Sequence, residues 1–465
     1  MRTIAAVATA RGTGGIAVIR VSGDYAFEIG EKLFYKKNMK LSDIPANTAV
    51  FGDILKNGAA VDDGIFLKFY APRSYTGEDT LEISCHGGVY IANLVLTAAI
   101  EAGAVLAAPG EFTKRAYING KISLTGAEAV GRLINAVSET SAKIAASQAK
   151  GGLSKKIGSI SDMIKTMISE VYVYIDYPGE ELQDTSPEDM LATLERVCGE
   201  LAHLRGSYGN AGKIISDGLS CAIIGRPNTG KSTLLNLLAR EDRAIVHELP
   251  GTTRDIITAR VNLGRFTLNL FDTAGLRETD GEIENIGIAK AREKTEECDL
   301  IIGVSSADTA GFEDEAVLRI MREQKNKGKK VMLLINKCDI CGADRAVPAF
   351  LHEFDSAFIS AKENTSLKTG VSALQVIEDK LEQMYDLDLY NLDAGEILTE
   401  ERQYFEICEA LENMNNAVRA LQNGFTPDIA GLDLELAVQN LDRCDSKAVS
   451  EDIADRIFKN FCVGK

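Results

Sequence analysis

Short apolar runs separated by glycine and proline occupy the first 120 residues of the chain. Runs rich in β-branched residues, such as residues 16–21 and 64–69, are typical of strands. The glycines and prolines between them are typical of turns and loops. This pattern predicts an α+β domain over residues 1–120.

The pattern changes to helical periodicity after residue 120. Residues 121–217 are rich in Ala, Ser, Lys and Leu, and the main interruption is the Tyr-Pro-Gly sequence at residues 177–179. Helical periodicity resumes after residue 369, where apolar residues recur three and four positions apart and predict one buried helix face. These apolar residues are Ile407, Leu411, Met414, Val418 and Leu421. We expect one helical domain, built from residues 121–217 and 375–465.

Between these helical segments, residues 218–374 alternate apolar runs with amphipathic stretches. The apolar runs lie at residues 221–224, 268–271, 300–304 and 331–335. Such alternation predicts a mostly parallel sheet with helices on both faces. The chain is therefore predicted to be a multi-domain α/β and α protein, in which an α/β domain is inserted into a helical domain.

Composition narrows the class of protein. At 465 residues the chain exceeds what one core usually organises, and its 45% hydrophobic and 26% charged residues are typical of folded soluble proteins. The most apolar stretch, residues 94–108, carries Glu101 and cannot span a bilayer. The formal net charge of −17 argues against a protein that wraps nucleic acid on its own. We expect a cytoplasmic protein without membrane contact, whose RNA contacts are local or shared with a partner.

Nine cysteines are scattered singly along the chain, apart from Cys338 and Cys341. Their C-x-x-C spacing is compatible with a redox or zinc site, but no second pair lies nearby and the whole chain has only four histidines. We interpret the cysteines as reduced and structural.

A phosphate-binding loop is encoded at residues 225–232. The sequence Gly-Arg-Pro-Asn-Thr-Gly-Lys-Ser fits the G-x-x-x-x-G-K-S pattern and lies between an apolar strand and the helical residues 233–239. Its glycines let backbone N–H groups surround phosphates, and the helix N-terminus favours negative charge. Lys231 is expected to reach the outer phosphates, and Ser232 to bind Mg²⁺.

Two further motifs suit the γ-phosphate. Thr252 or Thr253 is expected to close over this phosphate and to supply a second hydroxyl to Mg²⁺. The sequence Asp-Thr-Ala-Gly at residues 272–275 ends the next apolar strand, where its carboxylate can hold the magnesium shell and its glycine can sense the γ-phosphate. The chain is therefore predicted to be a P-loop hydrolase with a Ras-like domain.

The base is predicted to be guanine. In Asn-Lys-Cys-Asp at residues 336–339, Asp339 can accept paired hydrogen bonds from the N1–H and 2-amino groups of guanine, a donor pair that adenine lacks. Ser-Ala-Lys at residues 360–362 is expected to complete the base pocket through backbone contacts. The expected GTP-binding residues are Asn228, Thr229, Gly230, Lys231, Ser232, Thr233, His247, Thr252, Thr253, Asp272, Thr273, Ala274, Gly275, Asn336, Lys337, Asp339, Ser360, Ala361 and Lys362.

A residue that orients the attacking water is not obvious. Leu276 stands where Ras-like switches carry a glutamine. Glu282 and Glu284 follow shortly downstream, and either carboxylate can act through a water as a base or an orienting group. A solvated loop charge is the alternative interpretation for each.

Taken together, the motifs resemble the MnmE (TrmE) family of tRNA uridine 5-carboxymethylaminomethyl modification GTPases. The resemblance covers the whole chain and includes the terminal sequence Phe-Cys-Val-Gly-Lys. General GTPases do not carry its N-terminal motifs. The segments that carry the resemblance are residues 14–23, 75–79, 109–113, 225–232, 251–255, 272–277, 283–287 and 461–465.

The resemblance implies a three-domain protein that is dimeric through its N-terminal domain. It implies a heterotetramer with the FAD-containing partner MnmG, acting on C5 of the wobble uridine (U34) of certain tRNAs. The added carboxymethylaminomethyl or aminomethyl group takes a one-carbon unit from 5-formyl- or 5,10-methylene-tetrahydrofolate. The folate-binding residues implied are Arg20, Glu82, Lys121 and Lys465, and Cys462 lies near that pocket.

The resemblance also implies a potassium ion beside the phosphates, which activates hydrolysis as two GTPase domains dimerise. Its ligands would be Asn228, His247, Leu249 and Thr252, and Mg²⁺ would be held by Ser232 and Thr253. Glu284 matches the family's catalytic glutamate.

Two other functions stay open from the sequence. One is a ribosome-assembly or signalling GTPase that acts only as a nucleotide switch. The other is a folate-binding scaffold whose GTPase is regulatory.

Overall fold

Two compact units make up the computed structural model. It describes residues 2–176, 187–240, 257–271, 295–307, 315–340, 352–366, 371–445, 458–459, 461 and 464. The first unit comprises Met1–Gly131, Gln148–Leu191 and Asn416–Lys465. The second unit comprises Arg132–Ser147 and Ala192–Asn415.

The first unit begins with a seven-stranded sheet. The elements of this region are β1 Ile4–Val7, β2 Ile16–Ser22, α1 Ala26–Leu33, β3 Phe34–Tyr35, β4 Ala49–Lys56, β5 Ala59–Phe69, β6 Thr80–His86, α2 Val89–Glu101, β7 Val105–Leu106 and α3 Glu111–Ile118. The strand order is β3-β4-β5-β6-β2-β1-β7. Neighbouring strands are antiparallel except β1 and β7, which are parallel.

The two faces of this sheet differ. Along β2, Ala17, Ile19 and Val21 are buried, and they belong to a core that α1 and α2 complete. The residues that alternate with them, from Ile16 to Arg20, lie on the opposite and more exposed face. The polar chemistry of β2 is therefore presented on the side away from α1 and α2.

Long helices follow this sheet. They are α4 Leu124–Ile134, α5 Glu139–Ala149, α6 Gly152–Asp176 and α7 Pro187–Ser207, and a π-helical turn, Tyr208–Gly212, then leads into α8 Lys213–Asp217.

The second unit contains the other seven-stranded sheet. Its elements, with the two helices that follow them, are β8 Leu219–Ile224, α9 Lys231–Arg240, β9 Ile257–Leu263, β10 Phe266–Phe271, β11 Leu300–Ser306, α10 Glu315–Asn326, β12 Lys330–Asn336, β13 Asp355–Ser360, β14 Thr365–Ser366, α11 Ala373–Tyr385, α12 Glu401–Gln422 and α13 Pro427–Asp445. The strand order is β14-β13-β12-β11-β8-β10-β9. The five central strands are parallel, and β9 and β14 pair antiparallel at the two edges.

Helices cover both faces of the second sheet. Every residue of β11 is buried, as expected for a parallel strand covered on both sides. Leu234 of α9 and Ile377 of α11 belong to the core on one face, and Leu318 and Met321 of α10 belong to the core on the other. The predicted fold class is confirmed, because the parallel sheet, the α+β region and the long helices are all present.

The helical part of the first unit is held by α6 and α13. The side chain of Val171 lies 3.6 Å from the position that a Cβ on Gly431 would take, and the hydroxyl of Tyr172 donates to Glu435. On α12, Ile407, Leu411 and Met414 are buried as predicted. The remaining two members of the predicted stripe, Val418 and Leu421, are only half-buried, because Ala410 and Ala417 occupy the centre of the face instead.

Among the described residues, no helix is both long enough and apolar enough to cross a membrane. The predicted interruption at residues 177–179 lies outside the described part of the chain.

Candidate functional site: nucleotide pocket and Arg20–Glu82 pair

The loop of residues 225–230 joins the carboxyl end of β8 to the start of α9, whose first two residues complete the predicted motif. A Cβ on Gly225 would lie 2.3 Å from the backbone oxygen of Val304, and one on Gly230 would lie 2.1 Å from Nδ2 of Asn336. Asn228 has φ 63°, a left-handed conformation that asparagine tolerates better than most residues. Only glycine fits at Gly225 and Gly230, so the sequence pattern and the geometry agree.

Lys231 folds back over the loop. Its Nζ donates to the backbone oxygens of Gly225 at 2.7 Å and Arg226 at 2.5 Å. Thr229 Oγ1 donates to the same Arg226 oxygen at 2.9 Å. Ser232 and Thr233 are exposed in the first turn of α9, where N–H groups and the helix dipole favour an anion. The ammonium, the hydroxyls and the helix N-terminus thus meet at one end of the sheet.

Asn336 connects three motifs. It is 2% exposed at the end of β12, its Nδ2 donates to the backbone oxygen of Thr229 at 2.9 Å, and its Oδ1 accepts from the N–H of Ala361 at 2.9 Å. The phosphate loop and the Ser-Ala-Lys segment are therefore held by one side-chain amide. Sequence reasoning placed Asn336 in the site but did not foresee this bridge.

The residues that follow Asn336 form a sharp turn that exposes Asp339. Lys337 has φ 62°, and its backbone oxygen accepts from the N–H of Ile340, so the chain turns sharply there. Asp339 is exposed on this turn, and Lys362 is exposed beside Ala361. Cys338 is instead 2% exposed and its N–H donates to Ile359, which places it in the core as predicted. Its C-x-x-C partner, Cys341, lies outside the described residues.

A second candidate site lies on the exposed face of the first sheet. Arg20 on β2 and Glu82 on β6 are cross-strand partners. Nε and Nη2 of Arg20 lie 2.9 and 2.8 Å from the same carboxylate oxygen, Oε1 of Glu82. The guanidinium also lies 5.4 Å from the ring centre of Tyr75 and 5.6 Å from that of Phe112.

Two aromatic rings therefore flank this ion pair, and the side chains of Arg20 and Glu82 stay 18% and 24% exposed. Tyr75 makes a 2.9 Å hydroxyl contact with Thr113, and burial raises the pKa of Tyr75 above its ordinary value, so it stays neutral near pH 7. The sequence places Tyr75 and Phe112 in the motifs at residues 75–79 and 109–113, but it does not predict that their rings lie beside Arg20. Their approach to Arg20 depends on how the loop before β6 folds against α3, which no local pattern encodes.

The loop before β6 is fixed by Arg115 of α3. Nη1 of Arg115 lies 3.0 Å from Glu78, and Nη2 lies 2.8 Å from Glu111 and donates to the backbone oxygen of Arg2 at 2.8 Å. This buried guanidinium is fully engaged, since charged groups at such depth need several partners. Lys121 donates to the backbone oxygen of Pro72 in the same loop at 2.8 Å.

Comparisons with known proteins decide the family. A model described as GTP-binding protein TrmE N-terminus matches residues 3–121, and one described as MnmE helical domain matches residues 124–462. A tRNA modification GTPase MnmE from Acetivibrio thermocellus is 36% identical over 100% of this chain and 99% of its own length. Proteins of the same name from Caldicellulosiruptor saccharolyticus and Clostridioides difficile are 36% and 34% identical over the same shares. The chain belongs to the MnmE family.

Solved structures with some likeness to this member of the MnmE family include the G domain of the T. maritima FeoB iron transporter. That chain is 24% identical, the match covers 36% of this chain and 98% of that one, and the TM-score is 0.25. A variant of Aquifex aeolicus Era bound to GDP and AlF4⁻ is also 24% identical, with 42% of this chain and 67% of that one covered and a TM-score of 0.26.

Several residues expected from the MnmE resemblance lie outside the described part of the chain. These are His247, Leu249, Thr252, Thr253, Asp272, Thr273, Ala274, Gly275, Glu284, Cys462 and Lys465. The neighbour of Lys465, Gly464, is described: a Cβ there would lie 2.1 Å from the backbone oxygen of Val7. Val7 pairs with Ile19, so Gly464 lies at the end of β1, one strand from Arg20.

Proposed function

We propose that the chain hydrolyses GTP and, with the FAD-containing protein MnmG, modifies C5 of the wobble uridine (U34) of certain tRNAs. As a member of the MnmE family, the chain is a tRNA-modifying GTPase. The added group is carboxymethylaminomethyl or aminomethyl, with a tetrahydrofolate-derived one-carbon unit. One observation carries the proposal: the same chain holds a guanine-nucleotide pocket and, separately, an arginine–glutamate pair set between two aromatic rings.

The nucleotide pocket suits GTP and Mg²⁺. Lys231 already lies over the phosphate loop, and its bonds to Gly225 and Arg226 are ones that phosphate oxygens can replace. Bound Mg²⁺ supplies charge that stabilises the transferring phosphoryl group. Ser232, exposed at the start of α9, and Thr253 would hold it. Asp339 would select guanine, and Glu284 would orient or deprotonate the attacking water.

Potassium-stimulated dimerisation of the GTPase domains is part of the proposal. Asn228 supports it, because its left-handed backbone lies in the loop that would surround the phosphates. A fixed cation there stabilises charge that develops on the phosphates. His247, Leu249 and Thr252 would complete the ligand set with Asn228.

The Arg20–Glu82 pair suits a reduced folate, either 5-formyl- or 5,10-methylene-tetrahydrofolate. Both contacts from Arg20 use Oε1 of Glu82, and among the described residues Oε2 has no hydrogen-bond partner, so it can accept hydrogen bonds from an amino-pyrimidine edge. Tyr75 offers an aromatic surface beside the pair. Lys121 and Lys465 would bind the glutamate tail of the folate.

The proposed assembly is a homodimer through the N-terminal domain, joined by MnmG into a heterotetramer in the cytoplasm. The proposed domain limits are residues 1–120 for folate binding, 121–217 with 375–465 for the helical domain, and 218–374 for the GTPase domain. The net charge of −17 supports a tRNA contact shared with a partner protein.

A reconstituted reaction tests the proposal. The purified chain is combined with MnmG, FAD, GTP, 5,10-methylene-tetrahydrofolate, unmodified tRNA and an amine donor, either glycine or ammonium, and the nucleosides are analysed by mass spectrometry. We expect a C5-modified uridine that disappears when GTP or the folate is omitted and when Glu284→Ala replaces the wild-type chain.

The nucleotide-switch alternative predicts a different result. A ribosome-assembly or signalling GTPase would hydrolyse GTP equally well in this mixture but leave the tRNA unmodified. A scaffold with a regulatory GTPase would modify tRNA without GTP. Either outcome would contradict the proposed function while leaving the nucleotide pocket intact.

A further inference from the structure

Two aspartates and one histidine lie side by side on β4, β5 and β6, on the exposed face of the first sheet. Asp53 on β4 pairs directly with Asp63 on β5, and the continuation of that register sets Asp63 opposite His86 on β6. His86 in turn pairs with Ile16 on β2. Like charges directly opposite each other destabilise a strand pair. Neither Asp53 nor Asp63 forms an ion pair with lysine or arginine within the described residues.

A third carboxylate, that of Asp62, lies beside this row. Asp62 pairs with Ile54 on β4, and the β4–β5 register shifts by one residue just after this pair, where Leu55 pairs with Ala60. Asp62 accepts from the backbone N–H of His86 at 2.9 Å, and its Oδ1 lies 2.7 Å from Nδ1 of the same ring. The Asp62 side chain is 10% exposed, whereas that of His86 is 67% exposed. One acid is thus fixed while the imidazole remains open to solvent.

The geometry points to a metal site: we propose that Asp62, Asp63 and His86 bind one divalent transition-metal ion, with Zn²⁺ preferred. One ligand atom from each residue lies within 4.8 Å of the others. With metal–ligand bonds of about 2.0–2.2 Å, ligand atoms lie roughly 3–4.4 Å apart, so small rotations of exposed Asp63 and His86 suffice.

The donor set decides the class of ion. Imidazole nitrogen favours Zn²⁺ over Mg²⁺ and Ca²⁺, and two carboxylates supply the oxygen ligands that Zn²⁺ also accepts. Three protein ligands leave at least one position for water. The ion would neutralise the Asp53–Asp63 repulsion and hold β4, β5 and β6 together at this corner.

This site is separate from the Arg20–Glu82 pair. Ile16, the partner of His86, lies four residues from Arg20 along β2, or about 13 Å at the usual strand rise. Metal binding is therefore predicted to leave folate and GTP binding unchanged.

Calorimetric titration of Zn²⁺ into the full chain, with excess Mg²⁺ and GDP to keep the nucleotide site filled, tests the proposal. Asp63→Asn and His86→Gln should each remove one equivalent of Zn²⁺ or weaken its binding by tenfold or more. The matched control is His352→Gln, since His352 is another exposed histidine, and it should bind as the wild type does.

If a variant is destabilised, the change in its melting temperature on addition of Zn²⁺ still shows whether it binds the ion. Zn²⁺ should raise the melting temperature of the wild type and His352→Gln but not that of Asp63→Asn, whose side chain is exposed. The proposal is overturned if the wild type does not bind Zn²⁺, or if Asp63→Asn and His86→Gln bind Zn²⁺ as the wild type does. Displacement of Zn²⁺ by equimolar Mg²⁺ would also overturn the proposal, because a site with an imidazole ligand binds Zn²⁺ more tightly than Mg²⁺.

Discussion

The side-chain amide of Asn336 donates to the backbone oxygen of Thr229 at 2.9 Å, and so joins the end of β12 to the loop of residues 225–230. The same amide accepts from Ala361 at its other end. A single buried residue therefore sets the spacing between the loop of residues 225–230 and the Ser-Ala-Lys segment, which are predicted to bind the phosphates and the base.

Replacing Asn336 by alanine should damage nucleotide binding. Asn336→Ala leaves the Thr229 carbonyl and the Ala361 N–H without this partner, and each buried unpaired group costs about 1–3 kcal/mol. We expect GDP affinity to fall about 10- to 100-fold, measured by titration with a fluorescent GDP analogue. Asn326→Ala, at an exposed asparagine at the end of α10, is the control. Wild-type affinity in Asn336→Ala would show that the bridge does not shape the pocket.

The second carboxylate oxygen of Glu82, Oε2, which the contacts from Arg20 do not use, gives the second prediction. Glu82→Gln keeps the shape of the side chain but removes the charge, and hydrogen bonds to charged groups contribute about 1.5–3 kcal/mol. Binding of 5-formyl-tetrahydrofolate should weaken about 10- to 100-fold, while GTP hydrolysis by the isolated chain stays unchanged. Isothermal titration and a phosphate-release assay measure the two effects.

A matched ion pair in the same sheet region provides the control for Glu82. Glu101 pairs with Lys56 at 3.0 Å away from the aromatic rings, so Glu101→Gln should bind folate normally. Equal losses in both variants would mean that folate binding responds to overall charge and not to the Arg20–Glu82 site.

The close approach of Gly464 to β1 gives the third prediction. In Gly464→Ala the new Cβ would lie 2.1 Å from the backbone oxygen of Val7, at φ 101°. The C-terminal residues must then move, and we expect folate affinity to fall at least tenfold because Lys465 is displaced. Gly58→Ala is the control, since Gly58 has φ 80° but open space around it. If both variants bind folate normally, the terminal lysine has no part in the pocket.

The protonation state of the Cys85 thiol is set by its buried position in the first sheet. Burial is the main cause that raises the pKa of the Cys85 thiol to about 11, and the nearby charge of Asp62 adds to it. Because this folded-state pKa is raised, the thiol stays protonated until the pH approaches 11. We expect no alkylation of Cys85 by iodoacetamide at pH 8 in the folded protein and full alkylation after unfolding, measured by peptide mass spectrometry. Rapid labelling of the folded protein at pH 8 would contradict this placement.

Much of this architecture could be predicted because its signals are local. The apolar run predicted at residues 300–304 forms the first five residues of the buried strand β11, and the predicted phosphate-loop sequence at residues 225–232 forms a loop up to residue 230 and the first two residues of α9. Strand ends were predicted one or two residues short, because Lys330 and Asn336 belong to β12 but carry polar side chains. Hydrophobic pattern alone does not mark such ends.

Other features depend on contacts that no local pattern encodes. The π-helical turn Tyr208–Gly212 is one example: a Cβ on Gly212 would lie 1.7 Å from the backbone oxygen of Leu398, so the irregular turn accompanies a close approach of distant backbone. The aromatic neighbours of Arg20 and the third carboxylate beside His86 arise in the same way. The first depends on a loop packing on a helix, and the second on hydrogen bonds between Asp62 and His86 on different strands.

The most direct test of the central claim is steady-state GTP hydrolysis by the purified chain in KCl and in NaCl at matched ionic strength, with Mg²⁺ present. We predict that hydrolysis is much faster in KCl than in NaCl. We also predict that Glu284→Ala strongly reduces the rate of hydrolysis without loss of GTP binding. Equal slow rates in both salts would contradict the potassium mechanism, and unchanged turnover in Glu284→Ala would contradict the assignment of the catalytic residue. Absence of GTP hydrolysis under every condition would contradict the account as a whole.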